Sequence, residues 1–331
     1  MKKVKIKSPA NIAFIKYWGQ RDKKFFLPYN DSFSMNLSSC YTILEIEIIE
    51  EPKIKKLYVK DYDKDKFEIK HDESFEKVIN FYNRAKKFLK VKKDYGFIIY
   101  SYNSFPKKAG IASSASFFSA LALGFSWLFE KKLDKKNLSI LARLSGSGSS
   151  CRSIPDGFSW WYKGNKSNDS YAVSIAMPSY WDLVDLVLIL NKGEKKVSSS
   201  EGHQNVETSN LFKYRLLSLE KRIKEIKKAF FKKDFTYFGY LLEEEAISMH
   251  SVMMTQKPPI FYWSGKTVEL IKKIIEIRKI GIEGYFTIDA GENIHLICQK
   301  KDEEKFLKFL KDQKEILQII VNYPEEGAKF I

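Results

Sequence analysis

Cysteine is scarce in this chain. Only Cys40, Cys151 and Cys298 occur in 331 residues, widely spaced and with no CxxC pair. That excludes a disulfide framework and a cysteine-built zinc site, and it reads as a reduced, cytoplasmic chain. The four histidines, His71, His203, His250 and His295, show no metal-ligand spacing, and each reads as a surface or half-buried residue. Long apolar runs are missing too. The best, Phe117 to Phe129, is interrupted by Ser and Gly and falls short of the roughly 20 residues a bilayer crossing needs. The opening MKKVKIKSPA is basic but has no apolar stretch behind it, as a secretory signal would. There is no internal repeat and no low-complexity tract beyond lysine-rich helix faces.

Apolar residues make up 44% of the chain and aromatics 15%, enough for a substantial core, so wholesale disorder is excluded. Lys and Arg number 57 against 41 Asp and Glu, a net charge of +16. That balance favours anionic partners: nucleic acid, anionic lipid, or small phosphorylated and carboxylated substrates. The basic residues are scattered among acids, as in 219–233 and 300–314, and no nucleic-acid-binding motif is present.

Periodicity predicts strands at 41–50, 54–60, 66–70, 96–103, 157–163 and 182–190. It predicts helices over 74–90, from about 112, over 135–144, 234–251 and 264–279, and a long one along Phe212, Leu216, Leu219, Ile223, Ile226 and Phe230. Paired strands (284–289, 293–299), a helix (302–313) and a last strand (315–321) close the chain. Interspersed strands and helices suggest an α+β fold in two domains, 1–180 and 181–331.

Five segments have the makings of chemistry. SGKT at 264–267 looks like the tail of a P-loop, but the required upstream glycine position is Ile260, so an ordinary helix start is the better reading. In FPKKAGIASSAS (105–116) a Gly loop enters a helix whose first turn holds Ser113 and Ser114. Free N–H groups and the helix dipole favour an anion there, although a serine-capped amphipathic helix fits equally. GSGSSCRS (146–153) sets Ser147 and Ser149 beside Arg152, whose guanidinium can grip a carboxylate or phosphate with two prongs. In YFTIDAGEN (285–293) Asp289 ends a strand at a small-residue turn, where a carboxylate can face a ligand or simply shape the turn. In SPANIAFIKYWGQRD (8–22) Lys16 and Tyr17 occupy an apolar segment, where a lysine is costly unless it is paired, faces a ligand or snorkels to water.

Taken in chain order, the last four of these segments, together with LPYNDSFSMNLS, VSSSEGHQNVETS (197–209) and HSVMMTQKPPIFYW (250–263), resemble the diphosphomevalonate decarboxylases of the GHMP kinase superfamily. The resemblance spans residues 8 to 293. It implies a GHMP kinase-like fold with the active site in the interdomain cleft, ATP and Mg²⁺ as cofactors, a phosphorylated mevalonate as substrate, and a homodimer. It implies catalytic roles for Asp289, Arg152 and Lys16, and substrate contacts from Tyr17, Ser147, Ser149, Arg152 and Ser199. It also implies a phosphate cradle of Lys107, Gly110, Ala112, Ser113 and Ser114, and it leaves the metal ligands open. Neighbouring expectations are a 5-phosphomevalonate decarboxylase and a mevalonate kinase-like enzyme that does not decarboxylate. The chain departs from the family pattern at Gln20, often lysine, at His203, often methionine, at Tyr29 and Asp31, and in FPKKAG. Gln20 removes a cation expected near the distal phosphate, for which Arg21 and Lys192 are candidate substitutes.

Overall fold

The computed structural model describes residues 2–106, 111, 113–193 and 197–331. The first sheet is built on two long antiparallel strands, Lys2–Ile15 and Ser32–Ile49. Gly96–Asn103 pairs with the second of these, and Lys55–Lys60 runs parallel to Gly96–Asn103. Phe158–Trp161 joins the start of Ser32–Ile49 and carries Ala172–Ala176 on its other side. The second sheet is wholly antiparallel, in the order Gly284–Thr287, Ile294–Gln299, Leu183–Ile189, Gln318–Asn322. The last residues then return to the first sheet, where Phe330 pairs with Ile6.

Helices begin where the sequence offers caps. Asp72 starts Glu73–Leu89, Asp134 starts Lys135–Arg143 and Asp234 starts Phe235–Thr255, each accepting a backbone N–H from the first turn. Ser264 and Thr267 form a reciprocal capping box, so SGKT is an ordinary helix start.

Three apolar layers hold the sheets. Val4, Ile6, Leu44, Ile46 and Phe97 meet Phe81, Phe118 and Phe125 from helices Glu73–Leu89 and Ser113–Leu128. Leu186, Leu188 and Leu296 meet Ile271, Ile274 and Phe306 on the second sheet. Between the sheets lies a shared core of Phe14, Phe33, Val187, Ile226, Phe230 and Phe238. The apolar stripe of Phe212–Lys232 is therefore core, as its spacing predicts. That shared layer fixes the KYWG segment of the first sheet against the DAG turn of the second.

Two expectations on burial are corrected. His250 and His295 are each 1% exposed and are neither surface nor half-buried residues. His295 sits 2.8 Å from buried Asp185, and His250 Nε2 lies 3.3 Å from the Ile288 carbonyl. Polar partners inside the core make this burial possible. Among the described residues no helix is long and apolar enough to cross a membrane.

Candidate active site

A cleft of about 730 Å³ opens at the junction of the two sheets. Lys16, Tyr17, Ser113, Ser114, Ser147, Ser149, Arg152, Ser199 and Asp289 all line it. Residues separated by up to 273 positions in sequence thus meet in one cavity. Lys107, Gly110 and Ala112 lie outside the described residues.

Lys16 follows directly on the strand Lys2–Ile15, and its side chain is 1% exposed. Its Nζ donates to Asp289 Oδ1 at 2.6 Å, so the ammonium is paired and does not snorkel to water. Burial lowers the pKa of Lys16, with the attraction of Asp289 acting against it. Burial works against ionisation of Asp289 as well, but Lys16, His295 and Arg152 together outweigh it and hold the carboxyl below the ordinary range. The Asp289 side of the pair is therefore a carboxylate at neutral pH, 19% exposed to the cleft.

The backbone of Lys16 is itself anchored. Its N–H donates to Glu245 Oε1 at 3.0 Å, and its carbonyl accepts from Asn30 Nδ2 at 3.0 Å. Glu245 is fully buried between Arg215 and Arg222, with N···O distances of 2.6 and 2.9 Å. Removing either partner from such a buried pair is costly, which makes the support rigid.

Arg152 lies in a 3-10 turn, Gly148–Ser153, that follows helix Lys135–Arg143. It is 3% exposed. Nε donates to Asn11 Oδ1 and Nη1 to Ser32 Oγ, each at 3.0 Å. Both partners come from the two long strands, so the guanidinium plane is fixed, and among the described residues its remaining N–H groups are left for the cleft that Arg152 lines. Burial lowers the Arg152 pKa, against the pull of Cys151 and Asp289.

Small residues bring hydroxyls to the same floor. Ser114 Oγ is 2.9 Å from Ser147 Oγ, which is 3.3 Å from Ser149 Oγ. A side chain at Gly148 would place Cβ 2.8 Å from Trp161 and 2.9 Å from Tyr17 Oη, so only glycine lets the turn approach Tyr17. Gly19 has φ +96°, which favours glycine, and a Cβ there would stand 2.8 Å from Val206.

The chain's departures from the family pattern have partners. Gln20 Nε2 donates to Tyr17 Oη at 2.7 Å. His203 Nδ1 accepts from the Gly19 N–H at 2.7 Å, its ring centroid 4.5 Å from both Tyr17 and Trp18. Tyr29 Oη donates to Glu207 in the segment after His203. Asp31 accepts from Trp160 Nε1 at 3.0 Å and from the Lys163 N–H at 2.8 Å. Arg21 is committed to the carbonyls of Pro28, Lys163 and Gly164, and neither it nor Lys192 is among the residues lining the cleft.

Sequence reasoning missed the wall contributed by Glu73–Leu89, from which Lys77, Asn80 and Arg84 face the cleft. An amphipathic helix with a charged face carries no signal that part of that face lines a cavity. Phe26 on the same wall has φ 53°, and Arg143 holds its neighbour Phe25 through the backbone carbonyl.

No group of three His, Cys, Asp or Glu among the described residues could hold a metal. The cleft offers hard oxygen donors instead, the separate carboxylates of Asp72, Glu73 and Asp289 and several hydroxyls. That suits a Mg²⁺ ion bound mainly through phosphate oxygens and water.

Comparison with known proteins agrees with this geometry. Residues 8–172 match the family model of the diphosphomevalonate decarboxylase-like N-terminal domain, and residues 185–326 that of the mevalonate 5-diphosphate decarboxylase C-terminal domain. The diphosphomevalonate decarboxylase of Debaryomyces hansenii is 34% identical over 91% of this chain and 80% of its own length. The crystal structure of mevalonate diphosphate decarboxylase from Staphylococcus aureus superposes with a TM-score of 0.90 at 31% identity, covering 100% of this chain and 98% of that one. A structure described as MDDEF in complex with MVAPP, AMPPCP and magnesium gives a TM-score of 0.89 at 32% identity, over 99% of this chain and 98% of the other. The α+β architecture is thus the GHMP kinase fold, and the chain belongs to the diphosphomevalonate decarboxylase family.

Proposed function

We propose that this chain catalyses the ATP-dependent decarboxylation of (R)-5-diphosphomevalonate to isopentenyl diphosphate, ADP, phosphate and CO₂. The observation that carries the reading is the convergence of Asp289, Lys16 and Arg152 on one serine-lined cleft. The relative solved with MVAPP, AMPPCP and magnesium supports it.

The substrate carries a tertiary alcohol at C3 and a carboxylate one carbon away. Asp289 is ionised and accepts the C3 hydroxyl proton as that oxygen takes the γ-phosphoryl group of ATP. Lys16, 2.6 Å from Asp289, orients the carboxylate and offsets negative charge as the phosphoryl group moves. Phosphate then leaves C3 with the C–O bonding pair. The bond to the carboxylate breaks, CO₂ departs, and the released electron pair forms the alkene. Arg152 holds the carboxylate through its remaining N–H groups, and Tyr17, Ser147, Ser149 and Ser199 contact the substrate. Ser113 and Ser114, with Lys107, Gly110 and Ala112, cradle the nucleotide phosphates. When bound, Mg²⁺ neutralises phosphate charge. Positioning and electrostatics dominate the phosphoryl step.

The same reading divides the chain into domains near residue 180 and includes a homodimer. The buried free thiols of Cys40, Cys151 and Cys298 support a cytoplasmic location. Many lysines pair with acids, as in Lys64–Glu68, Lys273–Glu269 and Lys305–Asp302, which supports the absence of a nucleic-acid surface.

One observation favours a second reading, decarboxylation of the 5-monophosphate: Gln20 is neutral and spends its amide on Tyr17. Steady-state turnover of the mono- and diphosphates, with ADP and CO₂ both measured, tests the two readings against each other.

A further inference from the structure

His203 is the unusual residue of this cleft. It stacks on both aromatic rings of the KYWG segment, with centroids at 4.5 Å and tilts of 32° and 35°. The loop that carries it is pressed against that segment, because a Cβ at Gly202 would stand 2.5 Å from the Trp18 ring. The Gly19 N–H at 2.7 Å requires a lone pair on Nδ1. Burial pushes the His203 pKa down to about 3, so the ring is neutral at working pH. A neutral imidazole that accepts at Nδ1 carries its proton on Nε2. Nε2 makes none of the hydrogen bonds found among the described residues, and His203 lines the cleft next to Tyr17, Ser198 and Ser199. Among the described residues, the donors beside it from the KYWGQ segment, Gln20 and Tyr17, are neutral too. Gln20 and Tyr17 are joined at 2.7 Å, while Arg21 is tied to backbone carbonyls outside the cleft.

We infer that His203 is a specificity-determining residue whose Nε2–H donates to a phosphate oxygen of the substrate, so that a neutral donor stands where a cation is missing at Gln20. Gly19 fixes the tautomer, and the flanking rings fix the direction of the N–H. The inference rests on the functional reading above.

Two isosteric substitutions separate the nitrogens. His203→Gln keeps a donor near the Nε2 position and loses the acceptor for Gly19. His203→Asn keeps that acceptor and loses the donor. KM and kcat for 5-diphosphomevalonate and for unphosphorylated mevalonate, at saturating ATP, give the readout in folded variants with unchanged circular dichroism. For the diphosphate, KM should rise roughly tenfold or more in His203→Asn, the loss of one hydrogen bond to a charged group. It should stay within about threefold of the parent in His203→Gln, with kcat little changed in both. With mevalonate the two variants should not differ.

A purely structural role, in which Nδ1 matters and Nε2 does not, predicts the reverse order and would overturn the inference. Equal effects of the two variants on the diphosphate would overturn it as well. A difference that persists with unphosphorylated mevalonate would move the contact to the carboxylate and refute the phosphate assignment. If the unmodified protein releases no CO₂ from the diphosphate, the functional reading itself fails. Failure of the variant order alone leaves that reading standing.

Discussion

Asp289→Asn perturbs both the chemistry and the stability of the cleft. It preserves shape but removes the proton acceptor and the negative charge 2.6 Å from the Lys16 ammonium. Loss of a general base alone costs roughly 10²–10⁴ in rate. Turnover should therefore fall by at least two to four orders of magnitude, with nucleotide and substrate affinity close to the parent. Stability should change as well. Lys16, 1% exposed, loses its partner, and breaking a buried pair this way costs about 3–5 kcal/mol. The lysine can instead shed its proton. From an ordinary value of 10.5 that costs about 4.8 kcal/mol at pH 7 and about 2 kcal/mol at pH 9. The unfolded state then binds more protons than the folded one, so stability rises with pH in this window. Lys16 is already held below its ordinary value in the parent, and further below it without Asp289, so both proteins gain stability as pH rises toward 10.5. The gap narrows, by up to about 1.4 kcal/mol per pH unit, where the variant's lysine has shed its proton and the parent's has not. Coupled ADP release, trapped CO₂, nucleotide titration and urea melts at three pH values check each part. Near-parental CO₂ release would remove Asp289 from the chemistry, and a pH-independent stability gap would refute the buried-pair description.

Arg152→Lys should lower kcat/KM by roughly 10–150-fold, because a lysine keeps the charge but cannot serve Asn11, Ser32 and a ligand in one plane; steady-state kinetics of CO₂ release decide it. Gly148→Ala should raise KM for the substrate more than it lowers kcat, since the new methyl group displaces Tyr17 Oη from 2.9 Å; unchanged kinetics would show that the close approach is dispensable. Acid should destabilise the protein before carboxylates titrate. Burial pushes both His203 and His250 down from 6.5 to about 3, so below pH 6.5 the unfolded state takes up protons that the folded state does not. Unfolding free energy should fall with a slope approaching roughly 2.7 kcal/mol per pH unit for the two together, and His203→Gln should halve it in urea melts between pH 7 and 5.

Much of the architecture is legible in periodicity. Helix 74–90 and strand 96–103 are found at Glu73–Leu89 and Gly96–Asn103, because apolar positions there recur at clean helical and alternating spacing. The start of Ser32–Ile49 is illegible, because Ser32, Ser34 and Asn36 are buried alongside Phe33, Met35 and Leu37. A strand buried on both faces, one of them polar, shows no contrast between polar and apolar positions. Arg215, Arg222 and Glu245 are hidden for a related reason, since charges on helices read as solvated when only spacing is considered. Lys16 is ambiguous alone, and its partner lies in the turn that follows strand Gly284–Thr287 of the other sheet. The blocks around Lys16, Arg152 and Asp289 became a site only through their joint resemblance to one family. Phe26, Lys77 and Arg84 left no trace in the sequence, because only the packing of their elements turns them toward the cleft.

ATP-driven decarboxylation with preference for the diphosphate can be decided by kcat/KM measured side by side on mevalonate, its 5-phosphate and its 5-diphosphate, with ADP and CO₂ quantified in the same reactions. The 5-diphosphate should give the highest value, with one CO₂ released for each ADP. A higher value for the monophosphate would contradict the substrate assignment, and ADP formed without CO₂ would contradict decarboxylation itself.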